Sequence, residues 1–235
     1  MAVHNVTVER TIKALLDERK YSTLKDILTT MNAADIAAVF EELDEVRIPL
    51  LFRLLPKETA AETFAELEPE WQQLLIQGFS DTELNEVINE LYVDDAADLV
   101  EEMPANVVKR ILSQADPQMR KEINEILQYP ENSAGSIMTT EYVSLRPNMT
   151  VSEAITRIRR TAINKETIYT CYVTRDRRLL GTVSVKDLLV CMDDDTPVSD
   201  IMDENIISVN THSDQEEVAQ ILSKYNFLAL PVLDT

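Results

Sequence analysis

The apolar residues in the first half of the chain recur every 24 positions, and this period constrains the fold more than any other feature. One element of each unit aligns Ile36, Ala60, Leu84 and Val108, and then Phe40, Phe64, Ile88 and Leu112; the other aligns Leu51, Leu75, Leu99 and Ile123. Spacings of three and four residues predict amphipathic helices of about eleven residues. A pair of short helices cannot bury its apolar face alone, so the units are expected to stack into an α-superhelix over residues 1–129.

The predicted helix starts follow the same period. Residues suited to the first positions of a helix recur at Asn32, Pro56, Ser80 and Pro104. Asparagine and serine side chains accept hydrogen bonds from the unpaired N–H groups of a first turn, and proline tolerates the missing donor there. These four residues therefore predict where the first helix of each repeat begins.

The same region carries negative charge that no basic residue offsets within it. Residues 58–108 contain no lysine or arginine, but they contain fourteen carboxylates: Glu58, Glu62, Glu66, Glu68, Glu70, Asp81, Glu83, Glu86, Glu90, Asp94, Asp95, Asp98, Glu101 and Glu102. Like charges reduce the stability of a folded segment, and bound cations restore it. Two interpretations follow from the residues alone: a cation-binding surface, or an acidic face that keeps the protein in solution.

One repeat departs from the pattern at Asp98. The equivalent positions of the two preceding repeats are Leu50 and Leu74, and Asp94 lies one helical turn before Asp98. Carboxylates four residues apart on a helix repel unless a positive charge lies between them. The helix dipole accounts for Asp94 and Asp95 in a first turn, but it acts weakly on Asp98. The Asp94–Asp98 pair is thus a candidate cation site.

Composition narrows the function classes. The net charge is -20, which argues against nucleic-acid binding, and the hydrophobic share of 45% supports folded cores rather than disorder. Cys171 and Cys191 stand in apolar surroundings without a CxxC motif, and His4 and His212 are isolated, so buried free thiols are expected and a zinc site is not. No apolar run of membrane-spanning length, signal peptide, phosphate-binding loop or nucleophile–base set occurs, which predicts a soluble, intracellular protein that is not an enzyme.

The second half is predicted to be a different fold with its own duplication. Residues 129–135 have the composition of a linker, and Gly135 implies an unusual backbone conformation or a close approach. A period of 64 residues then relates Ile137-Met138 to Ile201-Met202 and Glu153 to Glu217. The first copy, residues 137–195, predicts strands at 169–174 and 180–184 around a turn. The second copy, from residue 201, ends after a predicted strand at 229–233, which indicates an incomplete repeat.

These features together resemble a known family. The paired Met-Thr and Met-Asp starts and the segment Gly181-Thr-Val-Ser-Val-Lys-Asp187 resemble a tandem CBS (Bateman) module. The 24-residue repeats and the segment Tyr129-Pro-Glu-Asn-Ser-Ala-Gly-Ser-Ile-Met-Thr139 resemble the cytosolic part of the MgtE family of magnesium channels. The expected architecture is a mixed fold of two domains: an all-α superhelical repeat domain, residues 1–129, followed by an α/β tandem CBS module, residues 130–235.

The resemblance implies a Mg²⁺ sensor at the cytoplasmic side of a membrane. In that family the helical and CBS domains close around several Mg²⁺ ions and shut an attached transmembrane pore. The positions that match the family's ligands are Glu62, Asp94, Asp98, the carbonyl of Gly135, Glu216 and the neighbourhood of Ser223. Asn226 stands where the family has an aspartate, so that site is expected to be weaker or absent. A homodimer through the CBS domains and a transmembrane domain beyond residue 235 are the implied partners.

Two other functions stay open at this stage. CBS modules often bind adenine nucleotides, and Tyr169, Lys186, Asp187 and Phe227 are the residues that ATP or AMP is expected to contact. For Asp187 the alternative is an exposed residue in the first turn of a helix. The second alternative is a scaffold whose acidic superhelix binds a basic partner.

Overall fold

In a computed structural model, residues 2–234 are described, and for residues 2–7, 9 and 164 only the backbone is. Residue contacts divide the chain into two compact units. The helical unit comprises the chain up to Leu91 together with Asp95–Lys121, and the CBS unit comprises Tyr92–Asp94 and the chain from Glu122 onward. The domain boundary between residues 129 and 130 stays a prediction. The outer ends of both predicted domains, residues 1 and 235, and the side chain of His4 lie outside the described residues.

Helices account for all the regular structure before the first strand in the described chain. They are α1 (Ala2–Asp17), α2 (Tyr21–Leu28), α3 (Ala33–Glu41), α4 (Ile48–Phe52), α5 (Lys57–Ala65), α6 (Pro69–Gly78), α7 (Asp81–Ile88), α8 (Val93–Glu102), α9 (Ala105–Gln114) and α10 (Pro117–Ile126). The four predicted starts are confirmed, because Asn32, Pro56, Ser80 and Pro104 are the N-cap residues of α3, α5, α7 and α9.

The repeat helices are shorter than predicted. From α3 to α10 they contain five to ten residues rather than about eleven. A unit of 24 residues must hold two helices and two connections. Connections of a few residues therefore leave ten or fewer for each helix.

Packing between successive repeats builds the core of the helical unit. Helix α3 packs on α5, α5 on α7, and α7 on α9. The predicted column from Phe40 through Phe64 to Ile88 is fully buried. In the last repeat the buried residues are Val107 and Ile111, one position before the predicted Val108 and Leu112, which are half-buried. The position of Ile111 is buried in the preceding repeats as well, at Val39, Thr63 and Val87, whereas the position of Val107 is buried only in α9. The buried face of α9 is therefore shifted toward Val107 at its start only.

The start of α7 combines a capping box with an ion pair. The Glu83 carboxylate accepts hydrogen bonds from the Ser80 backbone N–H at 2.8 Å and from Arg53 Nε at 2.7 Å, while Ser80 Oγ accepts from the Glu83 N–H. The hydrogen bond from Arg53, followed by that from Ser80, lowers the pKa of Glu83 to about 2. Arg53 lies just after α4, so this carboxylate both begins a helix and joins it to a preceding repeat.

The CBS unit contains two copies of a strand–helix pattern. The first copy comprises β1 (Val143–Leu145), α11 (Val151–Thr161), β2 (Thr170–Arg175), β3 (Arg178–Ser184) and α12 (Val185–Val190); the second comprises β4 (Val209–Asn210), α13 (Gln215–Tyr225) and β5 (Val232–Leu233). Strand β1 pairs parallel with β2, β2 pairs antiparallel with β3, and β4 pairs parallel with β5. The predicted strand at 229–233 is thus mostly wrong, because Pro231 has no N–H to donate to a ladder.

The last three residues of the predicted linker, 133–135, are buried with the second repeat, whereas residues 130–132 are exposed. Ala134 packs in one cluster with Val209 and Val218, and its N–H donates to the Ser213 carbonyl at 2.7 Å. The Gly135 N–H donates to the Thr211 carbonyl at 2.8 Å. A Cβ on Gly135 would lie 2.5 Å from the Tyr129 ring and 2.9 Å from the Thr211 carbonyl oxygen, so the predicted close approach is confirmed. Its φ is not positive, which excludes the alternative of an unusual backbone conformation.

Two further predictions concern the cysteines and the membrane. Cys171 and Cys191 are free thiols, as predicted, but Cys171 is buried whereas Cys191, just after α12, is only partly buried. Burial raises the pKa of Cys171 to about 11. Among the described helices none is both long and apolar enough to cross a membrane.

Replacing Glu83 by glutamine is expected to destabilise the helical unit in a pH-dependent way. The lowered pKa means that the carboxylate stabilises the fold fully above its ordinary pKa of about 4.5, and that this contribution is lost as the pH falls from there toward about 2. Loss of a charged cap and an ion pair costs about 1–2 kcal/mol at neutral pH. Urea unfolding of wild type and Glu83→Gln, at neutral pH and near pH 3, measures this. Glu86→Gln on the same helix is the charge-matched control, and an equal difference at both pH values would contradict the assignment.

Candidate metal centre

A cavity in the helical unit is lined by five carboxylates. Its volume is about 260 Å³, and it lies among the end of α5, the start of α6 and one side of α8. The carboxylates belong to Glu66, Glu68, Asp95, Asp98 and Glu102, and no lysine or arginine is among the described lining residues. We call this the acidic cavity.

Helix geometry brings these carboxylates together. Asp95, Asp98 and Glu102 lie at positions i, i+3 and i+7 of α8, which share one face of a helix. Glu66 ends α5 and Glu68 is the N-cap residue of α6, so the short connection between two helices places both at the cavity. Closely spaced carboxylates in this arrangement attract cations.

The acidic cavity also has a neutral oxygen oriented by the core. Gln72 is 6% exposed, and its Nε2 donates to the Phe64 carbonyl at 3.0 Å. Its Oε1 is buried and has no hydrogen-bond partner within the described part of the protein. A buried acceptor without a partner costs about 1–3 kcal/mol, so this oxygen favours a ligand that supplies positive charge or a proton. Amide carbonyl oxygens are ordinary ligands of Mg²⁺ and Ca²⁺. The sequence analysis missed Gln72, since a glutamine on an amphipathic helix carries no motif.

Partial desolvation changes the chemistry of Asp98. It raises the pKa of the Asp98 carboxyl above its ordinary value. Desolvation accounts for this direction, because burial disfavours the charged form of a carboxyl group. Of the two equivalent leucines, Leu50 is 40% exposed and Leu74 is half-buried, and Asp98 itself is exposed. Asp98 therefore does not replace a fully buried core residue.

Ion pairs offset part of the acidic stretch from outside it. Arg53 pairs with Glu83, Lys57 with Glu90, and Arg110 with Asp81, at distances of 2.6–3.1 Å. The prediction that nothing offsets these carboxylates is therefore wrong for three of the fourteen, because stacked repeats bring bases from flanking helices. None of these three carboxylates lines the acidic cavity.

The other predicted metal ligands of the first domain are placed as follows. Glu62 is exposed on α5 and does not line the acidic cavity, and Asp94 is half-buried one turn before Asp98. Among the described residues no group of three or more aspartate, glutamate, histidine or cysteine side chains has the arrangement of a metal site. The predicted set is thus not a preformed cage in this structure.

Glu141 of the CBS unit is a carboxylate that the sequence analysis missed. It accepts a hydrogen bond from the Val93 backbone N–H at 3.1 Å. Burial raises the pKa of Glu141, the Val93 hydrogen bond opposes this, and the charge of Asp94 raises it further. Glu141 is thus electrostatically coupled to a predicted metal ligand. No sequence signal marked it, because it lies between the two motifs that carried the resemblance.

In the second CBS repeat the predicted ligands lie at helix α13. Glu216 is exposed in its first turn, and the Ser223 carbonyl accepts from the N–H of Asn226 at 3.4 Å near its end. Asn226 has φ 53° and ψ 42° in the left-handed region, which asparagine adopts more readily than most residues. The C-cap conformation explains why an asparagine occupies this position, and no metal-binding role is needed to explain it.

The four predicted nucleotide residues are exposed on the CBS unit. Tyr169, just before β2, is 66% exposed, and the Phe227 ring stacks on Tyr225 with centroids 5.4 Å apart. Asp187 completes a capping box with Ser184, whose hydroxyl donates to Oδ2 of Asp187 at 2.5 Å. Asp187 is therefore an exposed residue in the first turn of a helix, as the alternative stated. Its described side-chain hydrogen bonds all use Oδ2, so Oδ1 is available to a ligand.

Known families match both halves of the chain. Residues 31–132 match the MgtE intracellular N domain, and residues 134–194 and 198–235 match the CBS domain. A crystal structure of the cytosolic domain of the Mg²⁺ channel MgtE in complex with ATP is 36% identical, with a TM-score of 0.89, covering 96% of this chain and 92% of that one. The chain belongs to the MgtE family.

Other MgtE proteins agree with this assignment. The magnesium transporter MgtE of Thermus thermophilus is 37% identical over 228 residues, which are 95% of this chain and 50% of that protein. MgtE of Bacillus subtilis is 29% identical over 236 residues, 99% of this chain and 52% of that protein. A crystal structure of the soluble part of a magnesium transporter is 31% identical with a TM-score of 0.89, and covers 98% of this chain and 91% of that one. The chain spans about half the length of these curated relatives. The predicted fold, a helical domain followed by a tandem CBS module, is confirmed.

Proposed function

We propose that this chain is the Mg²⁺-sensing regulatory region of a magnesium transporter and that it has no catalytic role. The acidic cavity carries the proposal: five carboxylates surround about 260 Å³, and a buried amide oxygen of Gln72 has no partner there among the described residues. The MgtE relatives are named magnesium transporters, and this chain matches about half of the length of each of the two compared. The transmembrane domain of a full-length protein is the partner that this region would regulate from the cytoplasmic side.

The available ligands suit Mg²⁺ better than a transition metal. Mg²⁺ takes six oxygen ligands and keeps several of its waters, so one or two carboxylates and a carbonyl are sufficient. Asp98 is the proposed carboxylate ligand and Gln72 the proposed carbonyl ligand, and both line the acidic cavity. A site of this kind does not need three protein ligands, and no such group is found among the described residues. A Mg²⁺ ion here would relieve repulsion among the carboxylates and satisfy the Gln72 oxygen.

Regulation follows if several weak sites fill together. The proposed ligands on both domains are Glu62, Asp94, Asp98, the carbonyl of Gly135, Glu216 and the Ser223 region. We propose that their occupation closes the helical and CBS domains on each other, and that closure shuts the pore of the full-length protein. Moving a two-state equilibrium from 1:99 to 99:1 needs about 5.5 kcal/mol of differential binding, which several weak sites supply more readily than one.

Asp98→Asn is expected to stabilise the Mg²⁺-free protein and weaken its response to Mg²⁺. The raised pKa of Asp98 means that its stabilising contribution is present below the ordinary value and is lost as the pH rises through the raised one. At neutral pH the substitution removes like-charge repulsion of about 0.2–0.5 kcal/mol for each carboxylate one helical turn away. Wild type should gain about 2.7 kcal/mol when Mg²⁺ reaches about 100 times its Kd, and the variant should gain much less. Thermal unfolding with MgCl₂, or with NaCl at equal ionic strength, measures both effects.

Glu86→Gln is the control for that experiment, since it removes one exposed carboxylate of the same stretch outside the acidic cavity. It should keep the full Mg²⁺ response. If NaCl stabilises wild type as much as MgCl₂ does, the stretch is only a solvated acidic face. If instead a basic peptide binds equally well with a chelator present, the superhelix is a scaffold.

Adenine-nucleotide binding is a second candidate function of the CBS unit. The observation that favours it is the ATP complex of a relative with 36% identity over nearly the whole chain. Tyr169 offers an exposed ring for the base, and Asp187 keeps one carboxylate oxygen for a ribose hydroxyl. Lys186 is also exposed and is next to Asp187 in the sequence, and it is the residue proposed to contact the phosphates.

Tyr169→Ala is expected to reduce an ATP-induced rise in melting temperature at a fixed ATP concentration, without changing the melting temperature of the ligand-free protein. The side chain is 66% exposed, so its loss removes a stacking surface and little core packing. Base–aromatic stacking is worth about 1–3 kcal/mol, which corresponds to at least a fivefold loss of affinity. Tyr142→Ala, an exposed tyrosine outside the predicted set, is the comparison. An unchanged ATP response in Tyr169→Ala would contradict this placement.

We also propose that the chain forms a homodimer through residues 136–235. The end of α12 exposes Leu189 and Val190, each 66% exposed, and Met192, two residues after the helix, is 98% exposed. Contiguous apolar surface of this kind marks protein interfaces. Light scattering should give twice the chain mass, and Leu189→Glu should give a monomer. A monomeric wild type at micromolar concentration would contradict the proposal.

A further inference from the structure

The positive charge of the second half is concentrated in one short stretch. Residues 146–178 contain eight of the ten basic residues found between 130 and 235, and only three acidic ones: Glu153, Glu166 and Asp176. Eight bases and three acids give a net charge of +5 in a chain of net charge -20. Segregated positive charge in an acidic protein indicates a site for an anion.

Three of these basic residues line an open cleft in the first CBS repeat. The cleft has a volume of about 720 Å³ and is formed where β1 ends, along α11, and at the turn between β2 and β3. Its walls include Arg146, Arg157 and Arg175, the hydroxyl residues Ser144 and Thr174, and one carboxylate, Asp176. Three guanidinium groups against one carboxylate leave a local charge of +2. We call it the basic cleft.

The groups of the basic cleft are held in place by the fold. Arg157 Nε donates to the Ser144 carbonyl at 2.8 Å, which fixes the guanidinium plane and leaves its two terminal nitrogens. The hydroxyls of Ser144 and Thr174 lie 2.8 Å apart across β1 and β2. Whichever of the two donates, the other keeps its own proton for a ligand.

The guanidinium groups of the basic cleft form no ion pair that is described for this structure. The lysine and arginine ion pairs whose partners are described lie in the helical unit. None involves Arg146, Arg157 or Arg175. The chain has 42 acidic residues that could pair with these three arginines, but no described carboxylate does so. An external anion is therefore a better explanation for the three arginines than an ion pair within the protein.

The basic cleft is separate from the predicted nucleotide residues. Tyr169 precedes the first residue of β2 and Lys186 follows the last residue of β3, whereas Arg175 and Asp176 lie at the opposite end of that hairpin. Six residues of strand span roughly 20 Å. A ligand at one end does not reach the other.

We propose that the basic cleft binds the phosphate group of an organic phosphate. Guanidinium groups pair with phosphate oxygens through parallel N–H···O bonds, and hydroxyls complete the shell. The volume exceeds that of a bare phosphate ion and falls in the range of small-molecule sites. The organic part lies toward the open side. A free phosphorylated metabolite and a phospholipid headgroup share this chemistry.

The test compares two double variants of the full chain. Arg146→Gln with Arg175→Gln removes two exposed charges from the cleft and leaves Arg157 with its structural hydrogen bond. Arg159→Gln with Arg160→Gln makes the same charge change on α11 outside the cleft. Binding of inorganic phosphate is measured by titration calorimetry at constant ionic strength, with melting temperatures to confirm folding. Loss of charged hydrogen bonds predicts at least a tenfold weaker Kd for the first variant, and about no change for the second.

A second arm distinguishes the sources of the phosphate. Co-sedimentation is measured with phosphatidylcholine vesicles with and without phosphatidylglycerol. Retention on the anionic vesicles that is lost only in the cleft variant supports a headgroup, and phosphate binding without retention supports a soluble ligand. Equal losses in both double variants, or neither phosphate binding nor vesicle retention by wild type, would overturn the proposal. Tyr169→Ala should leave phosphate binding unchanged, which separates this site from the nucleotide candidate.

Discussion

Repulsion among carboxylates is the constraint on which the helical unit depends. The stretch from residue 58 to 108 has no base of its own, so neutralisation has to come from stacked neighbours or from bound ions. Stacked neighbours supply three bases, and the carboxylates with which these form ion pairs lie on or beside α7: Arg53 pairs with Glu83, Lys57 with Glu90 and Arg110 with Asp81. Three carboxylates of α8 line the acidic cavity, together with the Gln72 oxygen that has no hydrogen-bond partner in the described part of the protein. Protein bases thus stabilise one part of the superhelix, and the other part is suited to a small cation.

The features that sequence could predict were those with a local or periodic cause. The helix starts at Asn32, Pro56, Ser80 and Pro104 and the buried column through Phe64 follow the 24-residue period, and the structure confirms these positions. Of the four N-cap residues, Ser80 alone makes the expected side-chain hydrogen bond. Membership of the MgtE family could be predicted because the motifs of the first half and those of the second half indicated the same family. The capping box that Thr150 and Glu153 form at the start of α11 has the same kind of local cause.

What sequence could not predict depended on contacts between distant segments. The role of Gln72 arises from a hydrogen bond to Phe64 and a cavity edge on another helix, and neither has a sequence signature. Glu141 became relevant only when its contact with Val93 was seen. The segment 129–135 was interpreted as a linker because its composition is polar and rich in turn formers. Its burial depends on Thr211 and Ser213, more than seventy residues later.

That buried segment also has a consequence for the order in which the CBS unit folds. Asn132 and Gln215 are joined by side-chain and backbone hydrogen bonds across a separation of 83 residues, and the intervening chain contains the whole first repeat. Closing so long a loop is entropically unfavourable unless the chain between its ends has already become compact. The first repeat, whose strand pairs are mostly short-range, is therefore expected to form early and shorten the path. The second repeat would then complete its core last, and a nascent chain emerging from the ribosome would carry the Ala134 segment exposed until α13 had been synthesised.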